Sequence, residues 1–239
     1  MAYGFSVFWL PLTRAFPGPP APSCTGMGLG QALVTTACNW RISDLGWMFT
    51  LFFVSLGSAA ALLGGWLERA GPRRAGLCAA ACWAGGLCIA ALGVYVHQLW
   101  IMWLGAGVIG GIGLGIGYIS PVSTLIKWFP DRRGMATGMA IMGFGGGALI
   151  GAPLATLLMA RFHDADGPGV WQTLVSLGII YAVFMTGGAL GYRVPPDDWA
   201  PPGFVPAEGQ RSVRGRSVAL QDAHRTRQFW LVWFVLMLN

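Results

Sequence analysis

The residues of this chain that could do chemistry are its charges, and they fall in clusters. The first is Gly64-Gly-Trp-Leu-Glu-Arg-Ala-Gly-Pro-Arg-Arg74, where Glu68 is followed by Arg69, Arg73 and Arg74. The second, Lys127-Trp-Phe-Pro-Asp-Arg-Arg133, sets Asp131 among Lys127, Arg132 and Arg133. A third stretch, 193–227, holds six arginines. An acid beside guanidinium groups can form ion pairs that make and break with conformation, and a basic cluster can attract anions. Neither arrangement breaks covalent bonds by itself. No Ser/His/Asp or Cys/His constellation stands elsewhere, and His97, His163 and His224 lack metal-ligand spacing. We expect no catalytic residue, no metal site and no resident cofactor.

The elements that carry these clusters are apolar. Of the 239 residues, 55% are hydrophobic and 10% charged, with net charge +6. A soluble domain is about 25% charged. Long uncharged runs explain the deficit: Leu45–Leu67, Ala75–Val96, Leu99–Pro121, Gly134–Met159 and Trp171–Tyr192. Each is near the ~20 residues that cross a bilayer as a helix. Two shorter runs, Met1–Leu12 and Phe229–Asn239, read as parts of further membrane helices, the first lacking a signal peptide's basic start and cleavage site. The excess of Gly and Trp suits membrane helices and their interfaces.

Loop charge sets an orientation. The loops 68–74, 127–133 and 193–227 hold twelve of the fifteen Lys and Arg, and only Arg14, Arg41 and Arg161 lie on the alternate loops. By the positive-inside rule the basic set faces the cytoplasm. In a membrane protein this charge needs no nucleic-acid partner. The outer loop Pro11–Asp44 is proline-rich at its start and contains Cys24 and Cys38, whose spacing permits a disulfide without requiring one. Cys78, Cys82 and Cys88 lie in one apolar run and read as packing residues. The stretch 194–227 reads as a basic linker, with Ser217–Arg227 able to form a short surface helix.

Glycines recur at four-residue spacing. Gly107, Gly111 and Gly115 share one helix face, Gly147 and Gly151 another, and Gly134 and Gly138 repeat the pattern. Such faces let membrane helices approach closely. Gly105-Ala-Gly107-Val-Ile-Gly110 fits a dinucleotide fingerprint, but it lies inside a membrane-length apolar run with no preceding strand, so nucleotide binding is not expected. Pro153 reads as a helix kink and Asp131 as a cap for the helix that follows.

These motifs carry a family resemblance. Gly64, Arg69, Gly71, Arg73 and Arg74 match the signature loop of the major facilitator superfamily, with Glu68 in place of the usual Asp. The runs Gly117–Pro121, Lys127–Gly134, Met135–Gly138 and Gly143–Gly147 resemble the oxalate/formate antiporters within it, as does Gln228-Phe-Trp-Leu-Val-Trp. The resemblance spans essentially the whole chain. It implies an all-α integral membrane protein with the major facilitator fold: an N-terminal six-helix half at 1–193 with its first helix incomplete, a linker at 194–227, and the start of a seventh helix at 228–239. It also implies transport by alternating access, a C-terminal half as partner, and a small organic anion as substrate, in the cytoplasmic membrane. Glu68 would take the gating role of the signature acid.

Substrate contacts follow from the same resemblance, in which the first and fourth helices face the central cavity. That nominates Tyr3 and Ser6, and Tyr118 with Ser120. Trp47 and Met139 are further candidates on flanking helices. No charge lies inside any full apolar segment, so a cationic partner for a carboxylate would belong to the other half. The fourth segment also lacks the Arg found there in many proton-coupled members. The alternatives are a proton-coupled monocarboxylate or drug carrier of the same fold, and a non-transporting membrane sensor or scaffold.

Overall fold

A computed structural model describes residues 4–15, 24, 26–164, 167–196, 199, 201 and 225–238, leaving aside the side chains of 144, 232, 233 and 235–238. Tyr3, the prolines at 17, 19, 20 and 22, and most of the 194–227 stretch, including the surface-helix reading, lie outside these residues. The chain divides into two compact units, Met1–Trp199 and Ala200–Asn239.

In the first unit a 3-10 turn, Phe5–Phe8, runs into α1 (Trp9–Leu12). Inside the loop after it sits a short helix, α2 (Leu29–Val34), which the proline-rich reading did not anticipate. Five long helices follow: α3 (Ile42–Ala70), α4 (Pro72–Tyr95), α5 (Leu99–Trp128), α6 (Arg133–Phe162) and α7 (Val170–Gly191). Each is long and apolar enough to cross a membrane. They correspond one to one with the five hydrophobic runs; α3 to α6 are longer than their runs, and α7 matches its run to within one residue at each end. The added residues are the charged and aromatic ones at the ends, because a helix continues through the interface until a residue stops it.

The stop between α3 and α4 is a single glycine. Gly71 has φ +79° and its N–H donates to the Leu67 carbonyl, which closes α3. Pro72 then starts α4, where its missing N–H costs nothing. Thus Glu68 and Arg69 belong to the last turn of α3, and Arg73 and Arg74 to the first turn of α4. Proline does not end α5: the helix passes through Pro121 to Trp128. Apolar surroundings penalise every unpaired backbone group, so one lost bond is cheaper than an unwound segment. Likewise α6 runs on through Pro153.

Helices α4 and α5 form the centre of the unit. Each is 56% buried along its apolar window, whereas α6 is 12% buried. Lipid tails are as apolar as Leu, so close van der Waals contact rather than water exclusion holds such a bundle together. The glycines of α5 supply that contact on two faces. A Cβ on Gly111 would lie 2.6 Å from the Phe52 carbonyl, and one on Gly115 would lie 2.6 Å from that of Leu56. This face therefore packs directly on α3. A Cβ on Gly113 would lie 2.8 Å from the Trp83 N, on α4. Gly107 is looser, with Leu51 Cδ2 at 3.4 Å from its built Cβ. Gly134 and Gly138 face open space, so their spacing marks no contact within this unit. In α6, Gly151 is buried and Gly147 half-buried.

Part of α5, Trp103–Ile109, is a wide π-helical turn. Such turns insert one residue into a helix and recur at functional sites. Gly105, within it, sits against the backbone of Gly86, Ile89 and Ala90 on α4. The second unit contains α8 (Arg227–Leu238), at whose start the Phe229 N–H donates to the Thr226 hydroxyl at 3.4 Å.

Candidate functional site

The bundle of the first unit alternates in direction, so the 68–74 and 127–133 stretches meet 192–196 and Trp199 at one end. They are bonded to one another there. Arg73 Nε donates to the Tyr192 carbonyl at 2.8 Å, and Trp128 Nε1 to the Arg193 carbonyl at 2.8 Å. Trp199 Nε1 donates to the Trp128 carbonyl at 3.2 Å, and the two indoles meet edge-on at 5.2 Å. The chain after α7 is thus strapped across the ends of α4 and α5, and the first unit reaches Trp199. Trp66, Trp128 and Trp199 ring this end, as interfacial aromatics do.

The two charged clusters differ in use. Arg69 Nε donates to its own helix, at the Gly65 carbonyl, 3.1 Å away. Glu68 is exposed and makes no ion pair among the described residues. Gly64 is half-buried, with open space at its Cβ position. Asp131 does not cap α6. The cap position is Arg132, without a side-chain bond, and the Asp131 carboxylate lies 3.5 Å from the Arg132 guanidinium instead. The capping expectation fails because the chain takes one more residue to turn after Pro130. Lys127, Arg74 and Arg133 are exposed at the same end.

The opposite end holds a buried cluster that the sequence reading did not assemble. Cys24 and Cys38 form a disulfide, with Cα atoms 5.3 Å apart. The Cys24 N–H donates to the Asn39 carbonyl at 3.0 Å. Next to it, Trp40 stacks on His97 at 4.5 Å, and His97 Nε2 donates to the Cys38 carbonyl at 2.9 Å. A carbonyl only accepts, so that bond requires the proton on Nε2. Burial lowers the His97 pKa, and the bond to Cys38 only partly opposes it. At the same end Asp44, 1% exposed in the first turn of α3, is held by Arg41 through two 3.0 Å contacts. An acid there also complements the α3 dipole. The separate signals were visible as a Cys pair, a Trp and a His. Nothing in their spacing said that they converge.

The nominated substrate residues divide. Ser6, Trp47, Tyr118 and Met139 are exposed, Tyr118 at 40%. Trp47 lies near the start of α3, at the same end as Tyr95, Trp100 and Trp171, and so belongs to the aromatic ring of that end. Ser120 does not accompany Tyr118. Two positions on an α-helix are about 200° apart, and Ser120 is fully buried. It lines a cavity of about 130 Å³ with Gly76, Ala79, Gly117, Met185, Gly188, Ala189 and Tyr192. Its Oγ has no hydrogen-bond partner there, while its carbonyl accepts from Ser123 and Thr124. A second cavity of about 30 Å³ is walled by Phe5, Met48, Phe49, Phe52, Trp83, Leu87, Ala106 and Gly110, and is apolar.

Every charge on α3 to α7 lies in a terminal turn, and the stretches between are apolar across membrane length. This is a multi-pass integral membrane protein. The chain belongs to the Major Facilitator Superfamily, a family of membrane transporters whose match covers residues 6–239. It is 33% identical to apicoplast pyruvate carrier 1 of Toxoplasma gondii, over 83% of this chain and 44% of the carrier. It is 30% identical to the oxalate:formate antiporter of Oxalobacter formigenes, over 52% of this chain and 27% of the antiporter. Human monocarboxylate transporter 11 is 32% identical over 45% of this chain and 22% of its own length. The chain spans less than half the length of these relatives.

Proposed function

We propose that this chain forms the N-terminal half of a carrier that exchanges small carboxylates by alternating access. One observation carries the substrate class: three relatives with different names, a pyruvate carrier, an oxalate:formate antiporter and a monocarboxylate transporter, all handle small carboxylates by name. The partner is a C-terminal half that supplies the cation. Tyr118 and Ser6, with Tyr3, Met139 and Trp47 as further candidates, offer hydroxyls and apolar walls to the substrate. Ser120 is enclosed and has no part in this surface.

The basic end faces the cytoplasm. Two independent features support this: the concentration of Lys and Arg, and the disulfide at the other end, which suits an oxidising compartment. Glu68, which has no ion pair among the described residues, can pair with the second half when the cytoplasmic side closes. Exchange rather than net flux follows from an empty site whose unpaired cation crosses the membrane at high cost.

The test is counterflow in vesicles reconstituted with the full-length carrier. Vesicles loaded with oxalate, formate or pyruvate are diluted into the labelled anion. Uptake that requires internal anion and ignores an imposed pH gradient supports exchange. Uptake driven by the pH gradient replaces it with proton coupling. No counterflow of any carboxylate, in protein shown to be folded, removes the transport reading in favour of a sensor or scaffold.

A further inference from the structure

Where α3 turns into α4, Ala70, Gly71, Pro72, Arg73 and Arg74 face Tyr192, Arg193 and Val194 across a groove of about 600 Å³. We propose that this groove binds the phosphate group of an anionic membrane phospholipid. Three guanidinium groups border it, and among the described residues no acid does. Arg73 is oriented by its Nε bond to the Tyr192 carbonyl, which leaves its terminal nitrogens for a ligand. Arg74 and Arg193 are exposed, with no ion pair among the described residues. Glu68, one turn back along α3, does not line the groove.

Depth selects a lipid over a soluble anion. The groove opens where three membrane-length helices end together: α3 at Ala70, α4 from Pro72 and α7 at Gly191. That is the headgroup level of a bilayer, and the tryptophans of this end lie at the same level. A guanidinium fork matches phosphate geometry in two parallel bonds, and basic pockets between helix ends are suited to anionic headgroups. Tyr192 walls both this groove and the mostly apolar cavity behind it. The site therefore offers charge outward and an apolar wall inward, the order of groups along a phospholipid. The proposal rests on the membrane bundle, not on the identity of the transported solute.

The experiment uses the full-length carrier, reconstituted in equal amounts of phosphatidylcholine and phosphatidylglycerol. It is then released into detergent, and the retained lipids are counted by native mass spectrometry. Wild-type protein should retain phosphatidylglycerol over phosphatidylcholine. The double variant Arg74→Gln/Arg193→Gln should lose that preference by roughly thirtyfold, at about fivefold per arginine. Arg161→Gln, at the opposite end, should leave it unchanged. If the double variant fails to fold, Arg74→Lys/Arg193→Lys must retain a preference for phosphatidylglycerol, reduced because a lysine cannot form the fork. Equal retention of both lipids by wild type overturns the proposal, and so does unchanged retention in the Gln variant or loss of preference in the Lys variant. Displacement of the lipid by millimolar inorganic phosphate would assign the groove to a soluble anion and overturn it as well.

Discussion

Arg73 and Tyr192 lie 119 positions apart in sequence and are joined by a 2.8 Å hydrogen bond from guanidinium to carbonyl. The bond holds the start of α4 to the end of α7. It also fixes where the chain leaves the bundle, since Arg193 and Trp199 are tied to Trp128 directly afterwards. A signature-loop residue thus doubles as an anchor for the segment that leads toward the second unit. Arg73→Gln should lower the melting temperature of the solubilised carrier by only a few degrees, because the site is exposed and such bonds contribute about 1 kcal/mol. It should also hasten protease cleavage between 193 and 199 several-fold. Unchanged cleavage would show that the tryptophan contacts alone hold the strap.

The glycines of α5 should respond unequally. Gly111→Ala and Gly115→Ala each drive a methyl into an α3 carbonyl, at 2.6 Å in both cases. Backbone cannot move aside as a side chain can, so each should cost about 1–3 kcal/mol. Gly107→Ala meets a flexible Leu51 methyl at 3.4 Å and the Met48 carbonyl at 3.5 Å, both ordinary contacts, and should be close to neutral. Fluorescence size-exclusion of the three variants decides it. Equal folded yields would mean that α3 and α5 slide apart without penalty.

Acidification should loosen the disulfide end. His97 is buried and neutral with a lowered pKa, so the unfolded chain binds its proton more readily. Its contribution is fully present above the unfolded value of 6.5 and fades as the pH falls toward the folded value. Thermal stability should therefore decrease between neutrality and about pH 5, and His97→Gln should flatten that part of the profile. An identical slope in the variant would place the pH response elsewhere.

Removing the Cys24–Cys38 disulfide, which spans 14 positions, should cost about 3 kcal/mol by loop closure. Cys24→Ser/Cys38→Ser is the clean comparison, because each Cys is then replaced by a residue that cannot pair. A melting temperature within error of wild type would leave the loop held by Trp40 and His97 alone.

Glu68→Gln removes the charge while keeping the shape. If the acid closes the cytoplasmic side against the second half, turnover should fall by an order of magnitude or so while substrate affinity stays within about twofold. Equal rates at equal membrane levels would reduce Glu68 to a topological charge.

What could be read in the sequence was what depends on neighbours along the chain. The five membrane helices, a break somewhere within 68–74 and the basic end all follow from local composition. What could not be read depends on neighbours across the bundle. Trp40, His97 and Cys38 come from segments almost sixty residues apart, and no period links them. Ser120 looked like a companion of Tyr118 because both are polar and near in sequence, yet helix geometry sends them to opposite sides. Asp131 satisfied the composition of a cap, but the turn after Pro130 is one residue longer than the capping pattern assumes. The four-residue glycine spacing was legible at 107, 111 and 115. It misled at 134 and 138, where the pattern is present without a partner helix in this unit.

The wide turn at Trp103–Ile109 has a bearing on everything downstream of it in α5. Taking up one residue more than an α-turn is equivalent, for the remainder of the helix, to rotating it by about 100° about its axis. Gly111 and Gly115 meet α3, and Tyr118 is left 40% exposed, in the angular setting which that extra residue supplies. Rewinding the full-length stretch 103–109 as regular α-helix would therefore turn the glycine seam away from α3, whereas deleting one residue there would remove the wide turn and leave the seam in place. The width of this one turn thus sets the direction of the Tyr118 hydroxyl beyond it.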